Sequence, residues 1–357
     1  MGTGTARGIN PKYDGMQKNM SISKGATVLV TGATGAIGPR VVHALCVAGY
    51  LVRTFSLDTP ETELFPPNVD EHIGDITDPS AVKSVMQGVD AVIHLAALLH
   101  IVNPPPELRE KYERINVGGT ATVTKSAVEA GVKRLVFFST AIAVYGNSNG
   151  QILTEDAIAK PDTFYARTKL AAERIVLDAK RADGQPLGTV LRFAAIYGPR
   201  IKGNYPSRAS GRTVARRRFI PIGDGRNRRT LIYDRDVARA ALLALQHPNA
   251  AGKVYNVSDG HFHTLKEIIA AICQALGRTP PRLALPVGTV RLAAGILEDA
   301  GRTIGFKSPV GRATIDKYTE DITVDSSRIQ TELGFKPQFD LLTGWRETIR
   351  EKNGFKF

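Results

Sequence analysis

Three observations predict an α/β chain whose core is a doubly wound parallel sheet. Short apolar runs recur with helix-length amphipathic stretches between them, the alternation that βαβ units require. The first run, Thr27 to Val30, ends in three glycines spaced three apart, and an apolar helix-like segment, Val41 to Ala48, follows. From about Pro199 the rhythm breaks into an Arg- and Gly-rich stretch, and the helical patterns beyond it suggest a smaller C-terminal lobe.

The glycine turn makes the expected sheet one of Rossmann type. Gly32 permits a tight strand-to-helix turn, Gly35 lets backbone approach a pyrophosphate, and Gly38 lets the helix pack close on the strand. The helix N-terminus then offers N–H groups and a positive dipole end to phosphates. Further strands are expected at 50–55, 69–73, 91–96, 135–138 and 190–193, with one more near 253–257. Helices are expected at 39–48, 79–86, 118–130, 165–181 and 236–246, then at 265–276 and 287–304 in the smaller lobe. Residues 1–24 read as a flexible extension and 25–199 as the dinucleotide-binding domain, to which 230–260 returns. Residues 200–229 and 261–357 form the expected substrate-binding lobe.

Composition narrows the class. The 357 residues are 43% apolar and 23% charged, ordinary for a globular protein. No apolar run approaches the roughly 18 residues that span a bilayer, and the N-terminal stretch lacks the apolar segment of a secretory signal. The two cysteines, Cys46 and Cys273, fall on apolar helical stretches and suggest buried thiols in a reducing compartment. No Cys or His spacing suits a metal. The expectation is a cytoplasmic protein without metal or membrane partner. The net charge of +13 is concentrated between Arg200 and Arg239. No interleaved aromatics or helix-turn-helix pattern accompany it, so an anionic small molecule or a solvated face is favoured over nucleic acid.

Several residues carry chemistry. A carboxylate after the second strand would bind ribose hydroxyls, but Ser56 stands there, with Asp58 two residues on and Arg53 close by. NAD versus NADP is therefore open at this point. Asp75 sits where a carboxylate could accept from an adenine amino group, whereas Asp78 before Pro79 suits a helix N-cap. His94 lies in an apolar strand and reads as a satisfied core residue; Ala96 and Ala97 after it are small enough for a flat ring. Tyr165 and Lys169 share one helix face at i and i+4. A free phenol titrates near ~10, and an ammonium about 4 Å away could lower that by roughly three units.

These motifs, with His94-Leu95-Ala96-Ala97, Asn116-Val117-Gly118-Gly119-Thr120, Val144-Tyr145-Gly146, Leu191-Arg192-Phe193, Tyr197-Gly198-Pro199 and Tyr255-Asn256-Val257, make the chain resemble the extended short-chain dehydrogenase/reductase family, nucleotide-sugar epimerase/dehydratase group. The likeness runs from about Ala26 to Ile349. It implies a bound nicotinamide cofactor, NAD with NADP not excluded. Tyr165 would be acid/base, and Lys169 would hold the ribose and lower the tyrosine pKa. Thr34, Ala36, Ile37, Ser56, Asp75, Ile76, Leu95, Ala96, Ala97 and Asn116 join the glycines as implied cofactor contacts. A homodimer built on two sheet-flanking helices is also implied. By likeness to UDP-hexose 4-epimerases, Asn204 and Arg229 would bind the substrate diphosphate, with Ile220 and Pro221 beside the uracil.

Two departures bear on mechanism. The family's Ser or Thr four residues before the tyrosine of Val-Tyr-Gly is Ala141 here, so Thr140 is the candidate hydroxyl if the strand end shifts by one. The acidic pair with which family dehydratases eliminate a hydroxyl is replaced by Ile142 and Ala143. The leading expectation is therefore C4 epimerisation of a UDP-hexose through a 4-keto intermediate. A dehydrogenase or 4-ketoreductase of a nucleotide sugar or steroid-like alcohol is the alternative, and a non-catalytic cofactor-binding regulator is the reading from another class.

Overall fold

The computed structural model describes residues 22–99, 107–201, 220–305 and 311–354. The 1–24 extension lies almost wholly outside them, as do the Gly203-Asn204-Tyr205 stretch and Arg208, Arg212 and Arg216 to Arg218.

Seven parallel strands form the central sheet: β1 (Thr27–Thr31), β2 (Leu51–Ser56), β3 (Asp70–Ile73), β4 (Ala91–His94), β5 (Arg134–Thr140), β6 (Gly188–Phe193) and β7 (Val254–Val257). Their order is β3-β2-β1-β4-β5-β6-β7, so the winding reverses between β1 and β4. β1, β4, β5 and β6 are buried on both faces, which explains why they read as continuous apolar runs rather than alternating ones. β3, Asp-Glu-His-Ile, is the exposed edge, and its charges discourage further pairing. In register, Thr31 lies opposite Phe55 on one side and His94 on the other. The glycine turn, the end of β2 and the chain after β4 therefore emerge at one edge of the sheet.

Helices cover both faces. On one lie α1 (Gly38–Val47), α7 (Asp234–Gln246) and α11 (Ser327–Leu333); Val41, Val42, Leu45, Val237, Ala241, Leu245, Ile329 and Leu333 share a core with β1 and β4. On the other lie α2 (Pro79–Val85), α4 (Thr120–Glu129) and α6 (Phe164–Asp178), which contribute Val82, Val85, Val123, Ala127, Ala172 and Val176. Asp78 caps α2, accepting from Ser80 and Ala81 with Pro79 in the first turn, as the sequence suggested. A short helix α3 (Leu108–Tyr112) runs into a π-helical turn, Glu113–Gly119, and only then into α4, which therefore begins two residues later than expected. Between β5 and α6 stands the single-turn α5 (Ala141–Tyr145).

A third cluster sits beside the sheet. It joins the short parallel ribbon Ala195–Tyr197/Leu231–Tyr233 to α8 (Leu265–Ala275) and, after α9 (Val287–Ile304), to α10 (Arg312–Thr319) and α12 (Leu341–Gly354). A Thr264/Glu267 capping box starts α8, and left-handed Gly305 ends α9. Trp345 of α12 stacks on Tyr197 with ring centroids 5.0 Å apart. Gly344 makes that approach possible, since a Cβ there would lie 2.1 Å from the Tyr197 hydroxyl. Asp236 pins the C-terminal chain to α7 by accepting from the backbone N–H groups of Gln338 and Phe339 at 3.0–3.1 Å. Of the cysteines, Cys273 is buried as expected, but Cys46 is only half-buried. Among the described residues, no helix is long and apolar enough to cross a membrane.

Candidate active site

The glycine turn follows β1 at the reversal point of the sheet. Gly32 has φ +69, and a Cβ there would lie 2.7 Å from the backbone of Ala96. At Gly38 a Cβ would lie 2.0 Å from the Ala33 carbonyl oxygen, so both outer glycines are sterically required. Gly35 is exposed, with only the Gly32 carbonyl near its missing Cβ. The start of α1 has no side-chain cap and no carboxylate in its first turn. Its N–H groups, around Ala36, Ile37 and Gly38, are thus suited to an anion.

The ends of β2 and β4 complete this edge. Ser56 is buried and its Oγ accepts from the N–H of Thr34 at 3.2 Å, tying the turn to β2. Arg53 points elsewhere: it pairs with Asp70 at 2.6 Å and donates to the carbonyls of Val85 and Gln87. Asp75 accepts from Thr77 N–H at 2.8 Å in a local turn, and Ile76 is buried under Gly119. Leu95, Ala96 and Ala97 are half-buried along the chain leaving β4. Asn116, on the π-helical turn, is fully buried and brackets Leu98, accepting from its N–H at 2.7 Å and donating to its carbonyl at 3.1 Å. Its side chain therefore holds the chain that leaves β4. His94 bonds Thr31 and Thr120 at 2.6 and 3.1 Å, and burial pulls it down to about 3. It is a neutral core residue.

Thr163 caps α6 and so fixes where its first turn begins. Tyr165 on that turn is half-buried, edge-on to Tyr112. One turn on, Lys169 is buried; its Nζ donates to the Phe138 carbonyl at 2.6 Å and lies 4.0 Å over the Phe137 ring. The electrostatics correct the sequence expectation. Burial and neighbouring Tyr112 push the Tyr165 phenol up, and burial pulls Lys169 down to about 7. The ammonium is directed at a main-chain carbonyl, and burial is the main cause of both shifts.

Thr140 is the last residue of β5 and the N-cap of α5, half-buried, accepting from Ala143 N–H at 3.5 Å. The hydroxyl before it, Ser139, is committed to Glu173. Ala141 is fully buried against Tyr145, Ile322 and Val324. Of the three positions, Thr140 holds the hydroxyl at the strand end. Farther out, Ile220 is 52% exposed and Pro221 accepts from Leu285 N–H at 2.8 Å. Arg229 is mostly enclosed and its Nη2 donates to the Lys317 carbonyl at 2.5 Å and the Tyr318 carbonyl at 3.3 Å. Asn204 lies outside the described residues.

Sequence reasoning missed a buried network beneath these residues. Glu173, one turn after Lys169, accepts from Arg192 Nε at 3.1 Å and Nη2 at 2.6 Å, and from Ser139. Arg192 Nη1 donates to the Tyr145 hydroxyl at 2.7 Å, which donates to Asn256 Oδ1 at 3.0 Å. The available signal was a second i+4 step, from Lys169 to Glu173, beside an arginine inside an apolar strand. Among the described residues, no group of three His, Cys, Asp or Glu is placed to hold a metal ion.

Residues 28–258 match the NAD dependent epimerase/dehydratase family. The chain is similar to a UDP-glucose 4-epimerase of Vibrio cholerae, 27% identical over 335 residues that cover 91% of this chain and 94% of that protein. It is also similar to the decarboxylating sterol-4-alpha-carboxylate 3-dehydrogenase of Mus musculus, 29% identical over 277 residues, 74% of this chain and 73% of the other. Among solved structures it superimposes on MoeE5 in complex with UDP-glucuronic acid and NAD, with a TM-score of 0.72 and 26% identity, covering 91% of this chain and 99% of that one.

Proposed function

The chain belongs to the NAD dependent epimerase/dehydratase family, and from that premise we propose that it inverts C4 of a UDP-hexose through a transient 4-keto sugar, with NAD as its resident cofactor. The glycine turn fits the pyrophosphate: the uncapped start of α1 supplies donors, and exposed Gly35 leaves the approach clear. Ser56 and Asp75 would flank the adenosine, Ile76, Leu95, Ala96 and Ala97 the ring faces, and Asn116 the wall. With Arg53 engaged by Asp70, Val85 and Gln87, it is not set to receive a 2′-phosphate, which favours NAD over NADP. When bound, NAD would supply the acceptor and then the donor of the C4 hydride.

The chain's own groups handle the proton. Tyr165, as the phenolate, takes the C4 hydroxyl proton and gives it back when the sugar is reduced again; the cationic ring of bound oxidised nicotinamide would offset the burial that raises the phenol without it. Thr140 holds the same sugar oxygen by a hydrogen bond, and Lys169 steadies the ribose while adding positive potential behind the phenol. Asn204, Arg229, Ile220 and Pro221 hold the UDP part. A homodimer on two sheet-flanking helices belongs to the same proposal.

One observation carries the choice of epimerisation over elimination. α5, directly after the Thr140 hydroxyl, is Ala-Ile-Ala-Val-Tyr and presents no carboxylate to remove a carbon-bound proton or protonate a leaving hydroxyl. The test is to incubate purified protein with UDP-glucose and UDP-galactose, add no nicotinamide, and follow the sugars by proton NMR. Interconversion of the two is expected. The similarity to a sterol dehydrogenase favours a second reading, net oxidation of an alcohol. Turnover strictly dependent on added NAD, one NADH per substrate, would establish that reading instead.

A further inference from the structure

Helix α9 has its amphipathicity inverted. At 100° per residue, Leu292, Ala293, Ile296, Leu297, Ala300 and Ile304 fall on one side with only Thr289 and Thr303 between them. This is the outward side: Leu292 is 66%, Ile296 61%, Leu297 61% and Ile304 80% exposed. Arg291, Glu298 and Asp299 lie off that side and bond α10. Arg291 bonds Asp316 at 2.7 Å, Asp299 accepts from Arg312 at 2.6 Å, and Glu298 accepts from Arg312 N–H at 3.1 Å. A surface helix ordinarily does the opposite. Of fifteen large apolar side chains left exposed among the described residues, six fall between 283 and 304. A seventh, Ile220, precedes the pair Ile222–Leu285 that leads into α9. The patch is thus continuous with the start of the helix.

Area and charge decide what covers it. An 18-residue helix is about 27 Å long and its outward strip about 10 Å wide, so the helix by itself offers roughly 300 Å², before Ile220, Leu283 and Leu285 are added, against about 800 Å² per partner in a stable dimer. A lipid surface needs no matching protein area, because an in-plane helix sinks its apolar side about 5–10 Å into the headgroup region. The chain is also basic, +13 overall. The sequence between Ile201 and Ile220 holds six cations, Lys202, Arg208, Arg212, Arg216, Arg217 and Arg218, and no acid, more than one diphosphate can engage. That stretch rejoins the described structure at Ile220, at the edge of the patch.

We propose that the outward face of α9, with Leu285, is a docking surface for an anionic lipid bilayer, on which the helix lies in plane without crossing. This departs from the sequence-based expectation of no membrane partner, which weighed only spanning segments. It is independent of the reaction proposed above.

The test is co-sedimentation of the full chain with sucrose-loaded vesicles of phosphatidylcholine alone or mixed with phosphatidylglycerol, at low and high salt. Pelleting with the anionic vesicles is expected, weakened by salt and reduced at least tenfold in a Leu292→Ser/Ile296→Ser/Leu297→Ser variant with an unchanged melting temperature. Should that variant misfold, Ile296→Glu and Leu297→Glu singly must each weaken pelleting. Equal pelleting of variant and wild type, or none by either, overturns the proposal. So does sedimentation velocity showing a wild-type dimer that the variant disperses, since a second copy would then be the occupant.

Discussion

Thr140 and Lys169 each answer to one dominant force, and that makes them testable. The Thr140 hydroxyl both caps α5 and stands at the end of β5, while Ala141 is sealed among Tyr145, Ile322 and Val324. Thr140→Val should slow turnover roughly a hundredfold, the low end for a positioned proton-transfer partner. It should lower stability by only about 1 kcal/mol through the lost cap. Ala141→Ser, confined to the core, should not raise the rate. The reverse ranking in steady-state assays would move the active hydroxyl to 141. Lys169 is governed by burial, which takes it from its ordinary 10.5 to about 7. Below about 7 it is charged in folded and unfolded chains alike. Between about 7 and 10.5 the unfolded chain binds a proton that the folded one does not, so stability rises with pH across that window. Lys169→Met should flatten the rise, measured as denaturation midpoints of the cofactor-free protein from pH 6.5 to 9.5. A slope unchanged by the substitution would assign it to other groups.

The site depends on how one helix, α6, is seated. Where it crosses β6, Gly188 lies so close that a Cβ would stand 2.2 Å from the Val176 carbonyl oxygen and 2.4 Å from its Cγ1. Gly188→Ala must push α6, with Tyr165 and Lys169, off the sheet. It should cost about 1–3 kcal/mol of stability as an overpacked contact. Turnover should fall tenfold or more, with a smaller loss of NAD affinity, because α6 brings only Lys169 to the ribose while the glycine turn after β1 stays in place. Parallel measurement of unfolding, kcat and NAD binding checks this, and an unaltered kcat would show that α6 tolerates the shift. At this level the sequence is most readable. Strands buried on both faces appear as unbroken apolar runs, and Asp78-Pro79 announces a helix because its cap is local. Elements held by distant partners are not readable in that way. The π-helical turn is set by Asn116 gripping Leu98, and α10 by its ion pairs with α9. The Glu173–Arg192 pair spans two elements that nothing local connects. Tyr165 and Lys169 were legible by spacing; their raised and lowered pKa values were not, because burial belongs to the assembled fold.

At the scale of the whole molecule, the C-terminal cluster is held to the sheet through a few polar points as well as apolar packing. Asp236, fully buried, accepts from Gln338, Phe339 and Arg239. Asp236→Ala leaves two partly buried N–H groups without their carboxylate acceptor and should lower stability by about 1–3 kcal/mol. Limited proteolysis should then cut first near residue 338. Cleavage patterns identical to wild type would mean that the apolar contacts of α12 suffice. The stack of Trp345 on Tyr197 has an optical consequence. Trp345 is the chain's single tryptophan, 2% exposed, and it sits in the cluster rather than in the sheet. Emission excited at long wavelength therefore comes from that one indole. A red shift or a gain in acrylamide quenching that precedes loss of far-ultraviolet dichroism would time the release of the C-terminal cluster separately from collapse of the sheet, with no dye attached.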